Sequence, residues 1–357
     1  MTSRSERRAL VVGTGLIGGS LGLALRARGW RVSGWDADEE RAKAAVDLGV
    51  LDAVGDDPEA EVAFVATPVA AAATLAGALL DRGHRPDLVV TDVAGVKGPV
   101  VAQVDHARFV GGHPMAGSEL LGLDGADPDL FAGAAWVLTP TPATDLGAFD
   151  RLQGVVASLG GDVVVLPPED HDRLVAVVSH VPHLVAATLV NAATDDAVHD
   201  AALLRLAAGG FRDMTRVAAG HPGIWPDVCA DNAAAIVVAF DHVLDELSAM
   251  RDRVAAGDRV GLLDALARAS TARRHLPARG ARPELLAELR IPVPDRLGVL
   301  DEITGLAAGL GANIYDIEIA HSAESARGVL LLVVADDDGP TLRDAVVARG
   351  YHCTVQG

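Results

Sequence analysis

A glycine-rich turn near the start of the chain constrains the fold most strongly. The segment RALVVGTGLIGG places Gly13, Gly15 and Gly18 in a G-x-G-x-x-G motif. The motif follows the apolar run Ala9 to Val12, typical of a buried parallel strand, and precedes a helical pattern. Glycine there allows a sharp turn and lets phosphate oxygens approach backbone N–H groups at the helix N-terminus. The motif therefore predicts a dinucleotide site, with a plain strand-to-helix turn as the alternative.

An acidic residue after the next predicted strand indicates which dinucleotide binds. Asp36 closes the run Arg31 to Trp35, about twenty residues beyond the motif. Its carboxylate would accept hydrogen bonds from the adenosine ribose and repel a 2′-phosphate, so NAD is expected rather than NADP. The residues expected to bind the cofactor are Gly13, Gly15, Leu16, Ile17, Gly18, Asp36, Thr67, Pro68 and Asp92.

The composition restricts the class of protein. A chain of 357 residues predicts two or three domains. No apolar run reaches the roughly 20 uninterrupted residues of a membrane helix, and MTSRSERR is unlike a signal peptide, so a cytoplasmic location is expected. The net charge of −19 disfavours nucleic acid or an anionic membrane as a partner. The two cysteines, Cys229 and Cys353, indicate neither a disulfide framework nor a metal site.

Strand-like runs alternate with helical stretches as far as about Val165. This alternation predicts a doubly wound α/β sheet, in which ligands bind beyond the carboxyl ends of the strands. Three segments directly follow predicted strands, and chemistry is expected in them: Thr67-Pro68, Asp92 to Gly98, and Gly111 to Glu119.

The pattern changes twice beyond this region. Between Pro168 and Pro277, Ala, Leu and Val recur at helical spacing, which predicts an all-helical region. Its apolar surface exceeds what one small bundle buries, so a homodimer interface is expected; a self-contained bundle packed on the sheet is the alternative. After a basic linker at Arg273 to Arg282, elements in the order βαββαβ predict a ferredoxin-like plait.

Three histidines are candidates for the chemistry. His113 follows a predicted strand in FVGGHPMAGSE, which fits a general base; a loop histidine that caps local backbone is the alternative. His180 and His183 lie three residues apart in VVSHVPHLVAATL, so both rings can face one cavity, although Pro182 interrupts the helix. A metal pair is disfavoured because no H-E-x-x-H motif accompanies them, and a hydrogen-bonded core pair stays open.

Two charged residues are candidates for substrate binding. Arg216, in GGFRDMTRVAAGHPGIWPD, suits two-pronged binding of a carboxylate, with an ion pair to Asp213 or Asp227 as the alternative. Glu119 lies six residues after His113 and either pairs with a nearby cation or is a solvated loop carboxylate.

In combination these segments resemble one family. The motifs GTGLIGGSLG, ATPV, TDVAGVKG, FVGGHPMAGSE, LFAGAAWVLTP, VVSHVPH and GGFRDMTR to IWPD are similar, in order from about residue 8 to 230, to prephenate dehydrogenases and their arogenate dehydrogenase relatives. The segment PDRLGVLDEITGLAAGLGANIYDIEI resembles an ACT regulatory domain. The resemblance implies a Rossmann-like NAD-binding domain at 1–166, a helical substrate-binding and dimerisation domain at 167–282, and an ACT domain at 283–357.

The resemblance implies NAD-dependent oxidative decarboxylation of prephenate to 4-hydroxyphenylpyruvate on the tyrosine pathway, with arogenate as the alternative substrate. His113 matches the catalytic histidine, which accepts the hydrogen bond of the C4 hydroxyl, and Arg216 matches an arginine that binds the substrate carboxylate. His183 matches a histidine on the substrate side. The other residues implied at the substrate are Ser179, His180, Glu119 and Trp225.

One position departs from the family pattern. Many members have a serine that helps to orient the catalytic histidine, whereas this chain has Gly95 in the segment AGVKG. A backbone group, a water molecule or Ser118 is the expected replacement. Lys97, one of two lysines in the chain, is expected to be a structural or cofactor-side cation.

The ACT-like tail is expected to pair with a second copy and to bind an amino acid, with L-tyrosine the natural feedback ligand. A purely structural interface is the alternative. The expected effector residues are Arg296, Leu297, Gly298, Val299, Asn313 and Ile314.

Two other classes of protein fit the residues less well. A β-hydroxyacid dehydrogenase would need a catalytic lysine in the helical region, and the chain has no lysine after Lys97. A non-enzymatic amino-acid sensor would show a degraded glycine motif or a lost His113, and both are intact.

Overall fold

The computed structural model describes residues 6–118, 120, 122–197, 207, 209–274, 286–294, 296–321 and 327–356. The chain groups into two compact units, Met1–Val185 with Val217–Val243, and Ala186–Arg216 with Leu244–Gly357. The domain limits expected from the sequence, 1–166, 167–282 and 283–357, stay a prediction.

An eight-stranded sheet forms the centre of the first unit, in the order β3-β2-β1-β4-β5-β6-β7-β8. Strands β1 to β6 are parallel, β7 runs antiparallel to β6, and β8 runs parallel to β7. The strands are β1 (Arg8–Val12), β2 (Arg31–Trp35), β3 (Ala53–Val54), β4 (Val62–Val65), β5 (Val89–Asp92), β6 (Phe109–Pro114), β7 (Ala135–Thr139) and β8 (Asp162–Val165).

Two large apolar clusters pack on the sheet of the first unit, and a smaller third cluster, around Ile236, lies among its helices. One large cluster contains Leu25 and Trp136, and the other contains Leu79 and Phe109. Because the central strands are buried on both faces, they read as continuous apolar runs. The helices of this part are α1 (Leu16–Ala27), α2 (Glu39–Asp47), α3 (Val69–Asp81), α4 (Gly98–Val101) and α5 (Leu146–Ser158). The doubly wound sheet expected from the sequence is confirmed.

A long helix with an irregular middle follows the sheet. It consists of α6 (Pro168–Val175), a π-helical turn (Ala176–His180) and α7 (Val181–Ala197). Pro182 has no N–H to donate to the preceding turn, and a π-helical turn is a common way to accommodate such a break. The next helices are α8 (Gly209–Thr215), α9 (Trp225–Asp231), α10 (Ala233–Ala256) and α11 (Arg259–Arg274). Between Pro168 and Arg274 the described residues therefore form the helical region that the sequence predicts.

One helical segment, Pro168–Asp195, is by length and composition apolar enough to cross a bilayer. Ser, His and Pro interrupt its apolar run without adding charge, so it does not contain the roughly 20 uninterrupted apolar residues that the sequence was expected to lack. Core helices of non-membrane proteins meet the same criterion, and this helix holds buried polar residues, among them His171 and Asp172. The cytoplasmic location stays a prediction.

A four-stranded antiparallel sheet lies in the second unit, in the order β10-β11-β9-β12. Along the chain its elements are β9 (Leu286–Pro294), α12 (Val299–Leu310), β10 (Ile314–His321), β11 (Arg327–Ala335), α13 (Gly339–Ala348) and β12 (Thr354–Gln356). Its core is a separate apolar cluster that includes Ile291, Ile303 and Leu330. The order βαββαβ is the one read from the sequence.

Candidate active site

The glycine motif forms a tight turn between β1 and α1. Gly13 has a φ of +92°, a left-handed conformation that favours glycine. A Cβ on Gly18 would collide with the carbonyl oxygen of Gly13, so the third glycine allows α1 to pack closely on the turn. These two positions have the structural roles that the motif assigns to them.

The middle glycine faces open space. No heavy atom lies within 4 Å of where a Cβ on Gly15 would stand, and Gly15 precedes α1 without a side-chain cap. Close by, the buried Oγ1 of Thr67 has no hydrogen-bond partner among the described residues. An uncapped helix N-terminus next to an unpaired hydroxyl fits the phosphates of a dinucleotide.

Asp36 is held in place by the same turn. Its carboxylate accepts hydrogen bonds from the backbone N–H of Thr14 at 2.7 Å and that of Asp38 at 2.9 Å. Burial raises the pKa of Asp36, but these hydrogen bonds and the nearby Arg41 outweigh it, so the pKa lies below its ordinary value. The group is an oriented carboxylate at the end of β2, as ribose binding requires.

Asp92 and Lys97 form a fully buried ion pair between β5 and β6. The ammonium also donates to the carbonyl oxygen of Gly112 at 2.7 Å, and Asp92 accepts from the N–H of Gly112 at 3.1 Å. Of the two roles expected for Lys97, the contacts show the structural one. The carboxylate of Asp92 is engaged by Lys97 and Gly112 inside the sheet. Its expected role in cofactor binding stays a prediction.

His113 lies near the carboxyl end of β6 and is half-buried. Two glycines precede it where neighbouring strands approach closely: a Cβ on Gly112 would lie 2.7 Å from Oγ1 of Thr91 in β5, and a Cβ on Gly111 would collide with Oγ1 of Thr139 in β7. Burial lowers the pKa of His113 well below its ordinary value, and the neighbouring His171, Lys97 and His180 add to the effect. A neutral imidazole at this edge of the sheet is suited to accept a proton.

A histidine and an aspartate from α6 support the His113 ring. Nδ1 of His113 lies 2.8 Å from Nε2 of His171, and Nδ1 of His171 lies 2.7 Å from Oδ1 of Asp172. Asp172 also accepts hydrogen bonds from the backbone N–H groups of Lys97 at 2.7 Å and Gly98 at 2.8 Å. Although burial raises the pKa of Asp172, the hydrogen bonds from His171 and the backbone keep it below its ordinary value.

The pair His180 and His183 has two different environments. His180 is buried, and its Nδ1 lies 3.3 Å from Nδ2 of Asn232, which also donates to the carbonyl oxygen of Asp172 at 2.9 Å. His183 is partly exposed and stacks on Trp225, with ring centroids 3.7 Å apart. His180 thus fits the hydrogen-bonded core alternative, while His183 and Trp225 present a flat aromatic surface. Ser179 directly precedes His180 in the π-helical turn.

Two family models match this chain. The model described as "Prephenate dehydrogenase, nucleotide-binding domain" matches residues 21–165, and "Prephenate dehydrogenase, dimerization domain" matches residues 167–268. The prephenate dehydrogenase of Bacillus subtilis (strain 168) is 36% identical over an alignment of 360 residues that covers 97% of each chain. The chain belongs to the prephenate dehydrogenase family.

Two solved structures are similar to this chain over about three quarters of its length. A crystal structure of prephenate dehydrogenase from A. aeolicus, in complex with hydroxyphenyl propionate and NAD+, is 31% identical with a TM-score of 0.68 and covers 76% of this chain and 99% of its own. Arogenate dehydrogenase from Synechocystis is 32% identical with a TM-score of 0.66 and covers 75% and 99%. The family expected from the sequence is confirmed. Both family models end before β9, so the antiparallel sheet lies beyond them.

The roles that the family pattern implies for Arg216 and Glu119 stay predictions. Arg216 belongs to the second compact unit, is exposed, and has no ion pair among the described residues of that unit. Glu119 lies outside the described residues. Ser118, one candidate to replace the missing serine, accepts a hydrogen bond from the N–H of Leu120 at 3.1 Å instead.

The expected effector residues lie around the turn between β9 and α12 and at the start of β10. Arg296 donates to Oε2 of Glu302 at 2.7 Å and to the hydroxyl of Tyr351 at 2.8 Å. Leu297 is fully exposed, and Gly298 has a φ of +85°. The remaining effector residues, in α12 and at the edge of β10, are Val299, Asn313 and Ile314.

Sequence reasoning missed three residues of the site: His171, Asp172 and Asn232. The segment PEDHDRLV reads as an ordinary helix start with acidic residues in its first turn, which hides the role of the adjacent histidine and aspartate. Position after a strand gave no signal either, because β8 runs opposite to β1–β6 and its carboxyl end lies at the other edge of the sheet. Asn232 comes from a distant helical segment and carried no signal in the sequence.

Proposed function

We propose that this chain is an NAD-dependent prephenate dehydrogenase, which oxidises and decarboxylates prephenate to 4-hydroxyphenylpyruvate. The observation that carries the proposal is the position of His113: its ring meets His171 at the carboxyl edge of a sheet whose first turn bears the dinucleotide motif, and burial lowers its pKa. The relative crystallised with NAD+ and hydroxyphenyl propionate supports both the cofactor and a ligand with a hydroxyphenyl ring.

The cofactor is proposed to bind at the β1–α1 turn. The backbone N–H groups at the start of α1 would hold the pyrophosphate, and Asp36 would bind the adenosine ribose. NAD, when bound, accepts the hydride that leaves C4 of the substrate ring.

His113 is proposed to act as the general base. Its Nε2 takes the proton of the C4 hydroxyl as the C4–H bond breaks. The ring carboxylate then leaves as carbon dioxide, and the electron pair of the broken C–C bond makes the ring aromatic. The proton can return from Nε2 to the phenolate oxygen of the product, which regenerates the base. General-base catalysis of this kind contributes about 100- to 10,000-fold to the rate.

The substrate is proposed to contact the helical residues. Trp225 and the stacked His183 offer an aromatic wall, and Ser179 and His180 adjoin it along the chain. We infer from the family match that Arg216 binds a substrate carboxylate and that Glu119 contributes to the same pocket. Arginine suits this role because its guanidinium can bind a carboxylate through two parallel hydrogen bonds.

The direct test supplies purified protein with prephenate and NAD and follows absorbance at 340 nm, with the organic product identified by mass spectrometry. The proposal predicts NADH and 4-hydroxyphenylpyruvate in equal amounts. Replacing NAD with NADP should slow the reaction, because Asp36 would repel the 2′-phosphate. No turnover with prephenate would contradict the proposal.

Arogenate is the second candidate substrate, favoured by the likeness to the Synechocystis arogenate dehydrogenase. The two substrates differ in a keto or an amino group on the side chain. A kcat/KM for arogenate above that for prephenate, with tyrosine as the product, would assign the chain to this alternative.

The C-terminal sheet is proposed to be a ferredoxin-like ACT domain that binds an amino acid, with L-tyrosine as the ligand. Its βαββαβ order and the left-handed Gly298 at the β9–α12 turn support the proposal. Millimolar tyrosine should then lower kcat or raise the KM for prephenate. If tyrosine changes neither, the domain is a structural module.

A further inference from the structure

A buried histidine that the mechanism above does not use lies between His113 and Asp172. His171 is fully buried, with one ring nitrogen 2.8 Å from Nδ1 of His113 and the other 2.7 Å from Oδ1 of Asp172. The rings of the two histidines meet edge to face, with centroids 5.0 Å apart. A buried polar side chain with both nitrogens engaged is an ordered part of the site.

The contacts of Asp172 determine which nitrogen of His171 carries hydrogen. The carboxylate accepts two backbone N–H groups, from Lys97 and Gly98, so it faces Nδ1 of His171 as an acceptor. Nδ1 of His171 is therefore the donor of that hydrogen bond. A neutral His171 then has its lone pair at Nε2, which faces His113.

The same reasoning gives the tautomer of His113 wherever His171 is neutral. Because Nε2 of a neutral His171 is an acceptor, Nδ1 of His113 must donate to it. Nε2 of His113 is left with a free lone pair. This is the nitrogen that a general base needs, since Nδ1 is turned toward α6.

Residue 95 makes no side-chain contact with the Nε2 side of the His113 ring. A Cβ on Gly95 would lie 3.7 Å from Nε2 of His113, in ordinary contact, but glycine places no side chain there. Among the described residues, His171 is the one hydrogen-bond partner of the His113 side chain.

We propose that His171, backed by Asp172, is the positioning residue of His113: it orients the ring and holds the Nδ1–H tautomer, so that Nε2 is free to take the substrate proton. This proposal rests on the function proposed above for His113. The hydrogen bond from Asn232 to the carbonyl oxygen of Asp172 helps to hold α6, and with it the side chains of His171 and Asp172, in place. The other titratable groups near His113 are Lys97 and His180.

The first test reads the tautomer directly and needs no activity. Long-range proton–nitrogen NMR spectra of protein labelled with 15N-histidine distinguish a protonated ring nitrogen from a bare one, and His113→Asn assigns the signals. We expect the Nδ1–H form of His113 in the wild type and a shift toward the Nε2–H form in His171→Asn. An Nε2–H form in the wild type, or the same tautomer in both proteins, would overturn the proposal.

The second test uses two matched substitutions at residue 171. Asparagine can reproduce the Nδ1 contact with Asp172 but does not reach His113, whereas the amide oxygen of glutamine reaches the place of Nε2. We expect His171→Asn to lower kcat by about 100-fold, the usual effect of a misplaced catalytic group. The KM for prephenate should change little, and His171→Gln should recover much of kcat. His352→Asn, at an exposed position just before β12, serves as the control and should match the wild type.

The two tests separate failure of this proposal from failure of the proposed function. A wild type that is inactive with prephenate and with arogenate contradicts the function, while the NMR spectra still decide the role of His171. Equal losses of kcat and thermal stability in the asparagine and glutamine variants would show that His171 is merely structural. If His171→Asn does not fold, the NMR tautomer of His113 in the wild type and the kcat of His171→Gln decide whether His171 positions His113.

Discussion

His113 lies where the charged form of an imidazole is disfavoured. Burial lowers its pKa, and His171, Lys97 and His180 lower it further. The neutral ring is the active form, so activity is full above this pKa and falls as the pH drops through it. We predict that kcat/KM declines on the acid side with a midpoint below the ordinary histidine pKa of about 6.5. A midpoint at or above that value in the pH profile would contradict the assigned environment.

Arg216 is the residue whose role depends most on the family pattern. Loss of a two-pronged ion pair with a substrate carboxylate costs about 2–5 kcal/mol, so Arg216→Ala should raise the KM for prephenate at least about 30-fold. Arg212→Ala, four residues earlier in the same region, is the matched control because Arg212 donates to the carbonyl oxygen of Ala207. Equal effects of the two substitutions on KM would remove the special role of Arg216.

Single residues differed in how far the sequence revealed them. The glycines and Asp36 could be predicted because their roles follow from local order: strand, turn, helix and next strand. His171 could not, because its contact with His113 joins positions 58 residues apart. Lys97 was recognised as an unusual cation, yet its partner Asp92 emerged from the packing of β6 on β5.

The proposal for cofactor binding is tested most directly at the turn between β1 and α1. Since a Cβ on Gly15 meets no atom within 4 Å, Gly15→Ala should fold with an unchanged melting temperature. The added methyl would occupy the space of a phosphate oxygen. Losing one charge-assisted hydrogen bond costs about 1.5–3 kcal/mol, so the Kd for NAD should rise at least about tenfold in a calorimetric titration.

Gly77→Ala, in α3, is the control for that experiment, because a Cβ there also meets no atom within 4 Å. It should leave the Kd for NAD unchanged. If Gly15→Ala binds NAD as tightly as this control, the phosphates bind elsewhere.

Most elements could be predicted from the sequence, because buried strands and amphipathic helices have different apolar periods. Two exceptions have physical causes. Strand β3 has two residues, too few for a pattern, and is set by pairing with β2. The π-helical turn at Ala176–His180 has no periodic signature of its own, although Pro182 marked the place where the helix is irregular.

In the whole molecule, long helices leave apolar side chains exposed in a single chain. On α10, Val238 is 69% exposed and Leu247 is 56% exposed. The family model over this region is described as a dimerization domain, which supports a homodimer.

Light scattering should therefore give twice the chain mass of 36.7 kDa. Val238→Asp should favour the monomer, whereas Leu146→Asp, at an even more exposed site on α5, should not. A wild-type monomer would contradict the dimer.

The central claim is that the Nε2 atom of His113 takes the substrate proton, and His113→Asn tests it most directly. With prephenate and NAD, the account predicts a kcat at least about 100-fold below that of the wild type, because the general base is lost. The Kd for NAD and the melting temperature should stay close to the wild-type values. A variant that forms NADH at the wild-type rate would contradict the account.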